Sequence, residues 1–431
     1  MERKLYKELL QWKERVNRKP LVLFGARQVG KSYLLSQFGE REFVNYVQIN
    51  LEAAAAVRAV FDGDLTPSRI IEQIEALLSV RIEAGETLLI LDEIQCCERA
   101  LTALKSFAES APQYHIVAAG SLLGVAINRT DYSFPVGKVD ELQLFPMDFE
   151  EWLWAMNKHQ LAAIIREHTT TMEKMDVALH EEALALYRRY LVVGGMPEVV
   201  VKYVNTQSLL TIIEIQQHIL NDYTADMAKY CENAMAIKVR ACYNSIPAQL
   251  AKENHKFQYK VVQRGGTATI FGEAIEWLIS AGVVLRCQQV EHPSIPLAAY
   301  VDLSDFKLYL SDVGLLTLKS GMPSGLLLSE LAEDNTFMGA IAENYVAQTL
   351  ATKHLPLYYW KSEATAEIDF LLCQNNQIVP IEVKKGERVR SRSLNQYRIT
   401  YKPDCCYRFS QKNFGENDGI KAIPLYAIFA L

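Results

Sequence analysis

The chain has 431 residues, too many for one hydrophobic core, so we expect roughly two to four domains. Its composition, 50% hydrophobic and 22% charged, is typical of a globular protein and not of a disordered one. The formal net charge of −6 excludes a protein coated in basic charge, so any nucleic-acid surface must be local. Eight cysteines without a CxxC pair, no signal-peptide pattern and no apolar run of ~18 residues predict a cytoplasmic protein with no membrane partner.

The first part of the chain alternates between strand and helix patterns. The predicted elements are, in chain order, a helix at 3–16, a strand at 21–24, a strand at 43–49, a helix beginning at Thr66-Pro67, a strand at 87–91, a helix at 100–109 and a strand at 114–119. Such alternation with short connections predicts a parallel sheet covered by helices on both faces.

A glycine-bounded loop follows the strand at 21–24. It reads Gly25-Ala26-Arg27-Gln28-Val29-Gly30-Lys31-Ser32 and continues into a helix at Tyr33, which is the pattern of a phosphate-binding P-loop. The glycines allow consecutive N–H groups to point at phosphate oxygens, and the helix adds the positive end of its dipole. We expect these nine residues to bind ATP, with Lys31 on the β- and γ-phosphates and the Ser32 hydroxyl on Mg²⁺. An ordinary glycine turn is the alternative interpretation.

The apolar strand at 87–91 leads into two acids, Asp92 and Glu93. A buried parallel strand delivers the residues at its carboxyl end to the phosphate crevice. We expect Asp92 to hold Mg²⁺ directly or through water, and Glu93 to orient and deprotonate the attacking water. The alternative is a buried strand that ends in acids for no catalytic reason.

Four motifs together resemble the prokaryotic AAA-family ATPases that carry a C-terminal domain of unknown function. They are Gly25 to Ser32, Leu91-Asp92-Glu93-Ile94-Gln95, Ala119-Gly120-Ser121 and Leu144-Phe145-Pro146-Met147-Asp148-Phe149. The resemblance implies an ATP hydrolase that assembles as a homo-oligomer with its sites between subunits. It also implies that Ser121 senses the γ-phosphate, for which a plain helix N-cap is the alternative.

The same family commonly has a Gly-Arg pair before the last of these motifs. This chain has Gly137-Lys138 there. Lysine cannot make the planar, two-pronged contact of an arginine finger, so the resemblance does not assign one at this position. Arg129 is an alternative finger.

Residues 147–236 are predicted to be mostly helical and to form the lid after the nucleotide core. The phrase at 190–198 also resembles the family, and its Gly194-Gly195 pair with Pro197 must break a helix, which predicts a turn.

Residues 237–325 resemble a winged helix, with helices followed by two strand candidates at 283–290 and 306–310. A winged helix can enter the DNA major groove. However, the second helix carries the acids Glu273 and Glu276 and no basic stripe, so protein contacts are an open alternative.

Residues 326–431 resemble the PD-(D/E)xK nuclease core. Glu382 and Lys384 are alternate residues of one predicted strand, so they share a face. Asp369 and Glu382 would hold a second divalent metal, Glu343 from the preceding helix would complete its ligands, and Lys384 would assist attack on a phosphodiester. A nuclease-like fold that does not cut is the alternative.

A local excess of basic charge follows this pattern. Eight lysines and arginines lie between Lys384 and Arg408, against only Glu387 and Asp404, which predicts a DNA-binding patch. Three polar residues at the next helix are interpreted as caps and surface: Ser391, Ser393 and Gln396.

The sequence therefore predicts a multidomain α/β protein. The predicted domains are a P-loop AAA-type core over 1–146, a helical lid over 147–236, a winged-helix-like connector over 237–325 and a small α/β nuclease-like domain over 326–431. The first functional hypothesis is an Mg²⁺-dependent ATP hydrolase whose nucleotide state drives or gates action on DNA. The second is an ATP-switched oligomeric scaffold whose C-terminal fold only binds partners.

Overall fold

The computed structural model describes residues 1–127, 134–252, 255–329, 335–363, 365–386 and 392–431. The chain divides into an N-terminal unit, residues 2–145 with 280–282, and a C-terminal unit, residues 146–279 with 283–431. Each unit contains its own β-sheet. In the described part of the chain, no helix combines the length and apolarity needed to cross a membrane.

The N-terminal unit alternates strands and helices, as the sequence predicts. Its elements are α1 Leu5–Glu14, β1 Leu21–Phe24, α2 Lys31–Glu42, β2 Asn45–Asn50, α3 Ala55–Val60, α4 Pro67–Leu78, β3 Thr87–Asp92, a 3₁₀ turn Ile94–Cys96, α5 Glu98–Ser110, β4 His115–Ala119, α6 Leu123–Ile127 and β5 Asp140–Gln143. The strands form a parallel sheet in the order β2-β3-β4-β1-β5. This is the parallel sheet expected of a P-loop ATPase fold.

Strand β3 is buried along its whole length because β2 and β4 flank it and helices cover the sheet. The carboxyl ends of β1, β3 and β4 lie at one edge of the sheet, since all three strands are parallel neighbours. Gly25, Glu93 and Gly120 directly follow these strand ends. The sheet therefore brings together the three motifs that the sequence singled out.

Helix α1 buries the apolar stripe Leu5, Leu9 and Trp12. Val16, which falls inside the helix predicted at 3–16, lies beyond the end of α1 and is 97% exposed. The predicted helix was too long at this end, because α1 stops at Glu14.

The C-terminal unit begins with eight described helices, and the first five lie within the segment 147–236 that was predicted to be mostly helical. Its elements are α7 Phe149–Ala155, α8 His159–Thr171, α9 Val177–Val193, α10 Pro197–Thr206, α11 Leu209–Tyr230, α12 Asn233–Leu250, α13 Tyr259–Val262, α14 Ala268–Ser280, β6 Val284–Val290, a 3₁₀ turn Leu297–Tyr300, β7 Val301–Leu310, α15 Val313–Lys319, α16 Ser324–Leu327, α17 Phe337–Ala351, β8 Tyr358–Lys361, β9 Glu367–Gln374, β10 Gln377–Val383, α18 Arg392–Tyr401, β11 Cys406–Ser410, β12 Gly415–Asn417, β13 Ile420–Pro424 and a 3₁₀ turn Leu425–Ala430.

Eight strands of this unit form one mixed sheet in the order β12-β13-β11-β10-β9-β8-β6-β7. Strands β6 and β7 pair antiparallel, as a two-stranded wing would, but β6 also pairs parallel with β8. The two strands are therefore the end of a larger sheet and not a separate wing. The domain boundary predicted between residues 325 and 326 falls between β7 and β8, which belong to this one sheet. The sequence did not predict the shared sheet, because pairing between distant strands leaves no local pattern.

The last hundred residues contain the element order α17, β8, β9, β10, α18, β11. Strand β9 pairs antiparallel with β8 and β10, and β10 pairs parallel with β11. One face of this sheet is covered by α18, whose Leu394 and Tyr397 pack in a buried cluster with Val290 of β6 and Ile368 of β9. This cluster ties β6 to the C-terminal strands.

Candidate functional site

The P-loop lies between β1 and α2 and depends on close backbone packing. A Cβ atom added to Gly25 would lie 2.3 Å from the carbonyl oxygen of Leu144. Gly30 has φ of +94°, in the region that favours glycine, and α2 begins at the next residue. The loop therefore has the compact path that directs backbone N–H groups toward a bound phosphate.

The ammonium group of Lys31 is buried at the first residue of α2. It donates hydrogen bonds to the carbonyl oxygens of Gly25 at 2.8 Å and Ala26 at 2.9 Å. Burial lowers the pKa of Lys31 to about 8, although the nearby carboxylates of Glu93 and Asp92 favour the charged form. The Lys31 side chain thus folds back onto the P-loop, whose bound phosphates it is predicted to contact.

Ser32 and Asp92 meet at the predicted magnesium position. The Ser32 hydroxyl donates to Asp92 Oδ2 at 2.5 Å, and the side-chain amide of Gln48 donates to the same oxygen at 3.4 Å. A hydroxyl and a carboxylate are oxygen ligands of the kind that Mg²⁺ prefers. These two residues fit an Mg²⁺ ion bound together with a nucleotide.

Glu93 is held by two donors at the carboxyl edge of the sheet. Gln95 donates its side-chain amide to Glu93 Oε2 at 2.5 Å, and the Ser121 hydroxyl donates to the same oxygen at 3.3 Å. Gln95 can reach this place because Gly120 has no side chain: an added Cβ would lie 2.2 Å from Gln95 Oε1. Sequence reasoning included Gln95 in a motif but gave it no role, although its position two residues after the predicted base was the available signal.

The other predicted loop residues differ in their accessibility. Ala26 and Val29 are buried, and Arg3 donates to the Val29 carbonyl at 3.0 Å. The side chains of Arg27 and Gln28 are half-buried, whereas Tyr33 is 57% exposed on α2. Direct contact with nucleotide remains a prediction for these five residues, as it does for Gly25, Gly30, Lys31 and Ser32.

The position where the family commonly has an arginine is occupied by Lys138, which forms an ion pair with Glu109 at 2.8 Å. The alternative finger, Arg129, lies outside the described residues.

The predicted turn at Gly194-Gly195 separates α9 from α10 and is held by a buried carboxylate. Asp312 Oδ2 accepts from the N–H of Gly195 at 2.6 Å, and its Oδ1 accepts from the N–H of Leu315 at 2.9 Å. The Gly195 carbonyl in turn accepts from the N–H of Met147 at 2.7 Å. This turn therefore has a clear packing role inside the C-terminal unit.

Glu343, the predicted third metal ligand, projects from α17 into a group of protein donors. Its Oε2 lies 2.8 Å from His255 Nδ1, 3.0 Å from the Tyr309 hydroxyl and 3.4 Å from Lys307 Nζ. Burial opposes ionisation, but the charges of His255 and Lys307 hold the pKa of Glu343 well below its usual range. Glu343 is therefore an ionised carboxylate with its own cationic partners.

Asp369 and Glu382 lie on neighbouring strands but have different partners. Asp369 Oδ2 accepts from the backbone N–H of Val383 at 2.7 Å, and burial and the charge of Glu343 raise the pKa of Asp369. Glu382 is buried and lies 3.2 Å from both Lys384 Nζ and Arg408 Nε. The contact with Lys384 agrees with the expected shared strand face, while the catalytic roles of these residues remain predictions.

The C-terminal carboxylates do not fit a resident divalent metal. Within the described ranges, no group of three or more His, Cys, Asp or Glu side chains is arranged to hold a metal ion. Glu343 and Glu382 instead make ion pairs with lysine, histidine and arginine. The predicted second metal site is therefore not assembled in this arrangement.

The predicted basic patch is partly neutralised within the protein. Arg408 and Lys384 face Glu382, and Arg398 pairs with Asp418 at 2.9 Å. Arg388, Arg390 and the predicted cap Ser391 lie outside the described residues, whereas Ser393 and Gln396 lie on α18.

Comparison with protein families separates the chain into three matched regions. Residues 17–153 match the family described as AAA domain. Together with the parallel sheet, this match supports a P-loop AAA ATPase fold for this part of the chain. Residues 184–325 and 338–428 each match a domain of unknown function, so these matches assign neither a winged helix nor a nuclease.

Comparison with curated proteins gives no match. Solved structures that match this chain include a Walker-type ATPase of Pyrococcus abyssi, with 15% identity, a TM-score of 0.45 and coverage of 74% of this chain and 95% of that chain. The ORC2 protein of Aeropyrum pernix has 13% identity, a TM-score of 0.37 and coverage of 79% and 95%. The RuvB Holliday junction branch migration motor of Thermotoga maritima has 15% identity, a TM-score of 0.31 and coverage of 68% and 90%. Likenesses at this level carry no conclusion about function.

Proposed function

We propose that the AAA-type domain binds ATP with Mg²⁺ and hydrolyses it. The observation that carries this proposal is the 2.5 Å contact between Ser32 and Asp92, because it joins the two halves of a nucleotide site at one edge of the sheet. Lys31 begins the adjoining helix and supplies a positive charge for the β- and γ-phosphates.

The proposal assigns a role to each residue of the site. Ser32 and Asp92 would hold the magnesium ion, which when bound would supply positive charge for the phosphates. Glu93 accepts the proton of the attacking water. Gln95 and Ser121 both donate to Oε2 of Glu93, so we assign the proton to Oε1. Ser121 is also the group proposed to sense the γ-phosphate.

The test compares two variants with the parent protein. Lys31→Ala is expected to lose nucleotide binding, whereas Glu93→Gln is expected to bind ATP without turnover. Lys7→Ala is a matched control, because Lys7 is an exposed lysine of the same unit. Equal phosphate release by the parent, Lys31→Ala and Glu93→Gln would exclude this site as the ATPase centre.

We further propose that the nucleotide state governs action on DNA through the C-terminal unit. The support is the basic segment that follows β10, in which Arg392 and Lys402 are exposed. Binding of labelled DNA should then differ between the ATP and ADP states and should weaken steeply as salt rises. DNA affinity that is the same in both states would contradict this coupling.

The second candidate is an ATP-switched oligomeric scaffold that does not cut DNA. The ion pairs made by Glu343 and Glu382 favour it, because ligands already paired with protein cations are poorly prepared for a metal. The discriminating experiment incubates the protein with varied DNA, ATP and Mg²⁺ or Mn²⁺ while phosphate release and strand cutting are measured together. Cutting that is lost in Asp369→Ala and Lys384→Ala would favour the nuclease, and intact DNA would favour the scaffold.

We propose a homo-oligomer because AAA-type sites usually lie between subunits. The test is the turnover rate per chain as a function of protein concentration. The rate is expected to rise as subunits assemble, and a monomer that turns over at the full rate would contradict the proposal.

A further inference from the structure

A buried lysine lies among the carboxylates of the C-terminal unit. The side chain of Lys307 is 0% exposed, and its Nζ lies 2.5 Å from Glu367 Oε1 and 3.4 Å from Glu343 Oε2. The ammonium also lies over the ring of Tyr359, 4.9 Å from the centroid. Sequence reasoning did not single out Lys307, which is 36 residues from Glu343 along the chain.

The strands explain why these groups meet. Lys307 and Tyr309 are alternate residues of β7 and share a face, from which both reach Glu343 Oε2. Glu367 and Asp369 are alternate residues of β9 and likewise share a face. One ammonium therefore pairs with two carboxylates from two different elements, Glu343 of α17 and Glu367 of β9, and Asp369 shares the β9 face of Glu367.

A second cationic group closes the other side of Glu343. Lys256 forms an isolated β-bridge with Lys307 and an ion pair with Asp305, which fixes the preceding residue, His255, beside this cluster. His255 has φ of +47°, a conformation that is uncommon for a residue with a side chain. Its Nδ1 lies 2.8 Å from Glu343 Oε2. The backbone thus holds an imidazole against an oxygen that a metal would need.

We infer that Lys307 is the resident cation of the C-terminal unit and takes the position among Glu343, Glu367 and Asp369 that a divalent ion would occupy in a metal-dependent nuclease. The physical reason is that the lysine ammonium and a divalent ion compete for the same carboxylates. Buried carboxylates need a positive partner, and an ammonium at hydrogen-bond distance supplies it without any ion from solution. The inference deepens the second candidate function and does not depend on ATP hydrolysis.

Replacement of Lys307 by an uncharged residue should make these carboxylates available to a metal ion. Lys307→Met removes the charge but keeps a long, unbranched side chain, so Glu343 and Glu367 would lose the ammonium that they share. With Lys307 present, the described acids are not arranged as a metal site. Without it, the oxygens of Glu343 and Glu367, with Asp369 on the same strand face as Glu367, can close around Mn²⁺ instead. The variant should therefore gain a metal site that the parent lacks.

The experiment measures the number of Mn²⁺ ions bound per full-length chain by electron paramagnetic resonance, without nucleotide. All proteins carry Asp92→Ala, which removes the predicted magnesium ligand of the N-terminal site. The Lys307→Met protein is expected to bind one more Mn²⁺ ion per chain than the protein that retains Lys307. Adding Asp369→Asn to Lys307→Met is expected to abolish this additional binding. Lys385→Met is the matched control, because Lys385 Nζ donates to the Asn335 carbonyl and no ion pair of it is seen among the described residues; it should gain none.

A folded Lys307→Met protein that binds no additional Mn²⁺ would overturn the inference. If that variant does not fold, the parent decides: Mn²⁺ binding that disappears in Asp369→Asn overturns the inference, and the absence of such binding supports it. Phosphate release from the chains that retain Asp92 is measured separately. Failure of the Mn²⁺ prediction therefore leaves the ATPase proposal standing, and the reverse also holds.

Discussion

The hydroxyl of Ser32 donates to Asp92 Oδ2 at 2.5 Å, although the two residues are 60 positions apart in the chain. Ser32 lies in the first turn of α2 and Asp92 is the last residue of β3. The parallel sheet brings these positions to the same edge, and the bond keeps both oxygens in place before any ion binds. With magnesium bound, the same two oxygens would be its protein ligands in place of their mutual hydrogen bond.

We expect Ser32→Ala and Asp92→Asn each to raise the Mg²⁺ concentration needed for half-maximal ATP hydrolysis, by about 10-fold or more. Because both residues are assigned to one ion, the double variant should be much less impaired than the product of the two single effects. Initial rates of phosphate release over a Mg²⁺ titration measure this. Ser110→Ala is a control, since Ser110 is an exposed serine at the end of α5 in the same unit and donates to the Ser106 carbonyl. Independent, multiplicative effects would show that Ser32 and Asp92 do not serve the same ion.

Gly120→Ala should impair the catalytic step without weakening nucleotide binding. The new methyl group would lie 2.2 Å from Gln95 Oε1, so Gln95 must move away from the carboxylate of Glu93 that it holds. Removing a general base costs about 100-fold or more, and misplacing it should cost part of that factor. We expect kcat to fall about 10-fold while the dissociation constant for ATP stays the same.

The control for this prediction is Gly272→Ala. An added Cβ at Gly272 meets nothing within 4 Å, so this glycine-to-alanine change should leave hydrolysis unaffected. A Gly120→Ala protein with normal kcat would show that Gln95 does not position Glu93.

The arrangement of the candidate nucleotide site was predictable because its residues lie in two short segments of the sequence. Gly25 to Ser32 are eight consecutive residues. Asp92 is the last residue of a largely apolar strand, and Glu93 follows it directly. The AAA-type fold of this region is confirmed by the family match. Gln95 was missed because its role depends on the empty space at Gly120, which no linear motif encodes.

The C-terminal unit was less predictable because its polar groups meet across long sequence separations. The PD-(D/E)xK-like residues were visible in the sequence. Lys307 and His255, however, come from the segment 237–325, which was predicted to be a separate winged-helix-like domain. The pairing of β6 with β8 unites those segments in one sheet. Ion pairing among residues 36 to 88 positions apart cannot be read from local periodicity.

His115 should make the N-terminal unit sensitive to acid. It is buried at the start of β4, where its ring packs edge-on against Trp12 and Phe43. Burial and the charge of Arg18 lower the pKa of His115 to about 4 from an ordinary 6.5, and Lys13 is also nearby. Because the folded-state pKa lies below the unfolded one, this contribution to stability is complete above about pH 6.5 and is lost as the pH falls toward 4.

The expected loss from His115 between pH 7 and pH 5 is about 2 kcal/mol of unfolding free energy. Urea unfolding of the parent and His115→Phe at both pH values measures it. His115→Phe should lose less stability on acidification than the parent by about that amount. His159→Phe is the control, because it replaces a histidine of the other unit. Equal acid sensitivity of the parent and His115→Phe would mean that this histidine is not buried in its neutral form.

Tyr190→Phe should destabilise the C-terminal unit by about 1–3 kcal/mol. The buried Tyr190 hydroxyl donates to the Met147 carbonyl at 2.6 Å and accepts from the side-chain amide of Gln348 at 2.8 Å. Gln348 also accepts from the N–H of Val313 through Oε1 at 2.8 Å, so it cannot turn its amide to another partner without breaking that bond. Removing one hydroxyl therefore leaves both a buried acceptor and a buried donor without this partner.

Tyr187 provides a matched control for this prediction, because it lies one turn earlier on α9 and is equally buried. Its hydroxyl has no hydrogen-bond partner within the described part of the chain. Tyr187→Phe removes a buried polar atom that makes no bond there, so it should be neutral or stabilising. Urea unfolding midpoints of the two variants measure the difference at equal side-chain volume. Equal destabilisation by both variants would show that the hydroxyl of Tyr190 contributes no more than packing does.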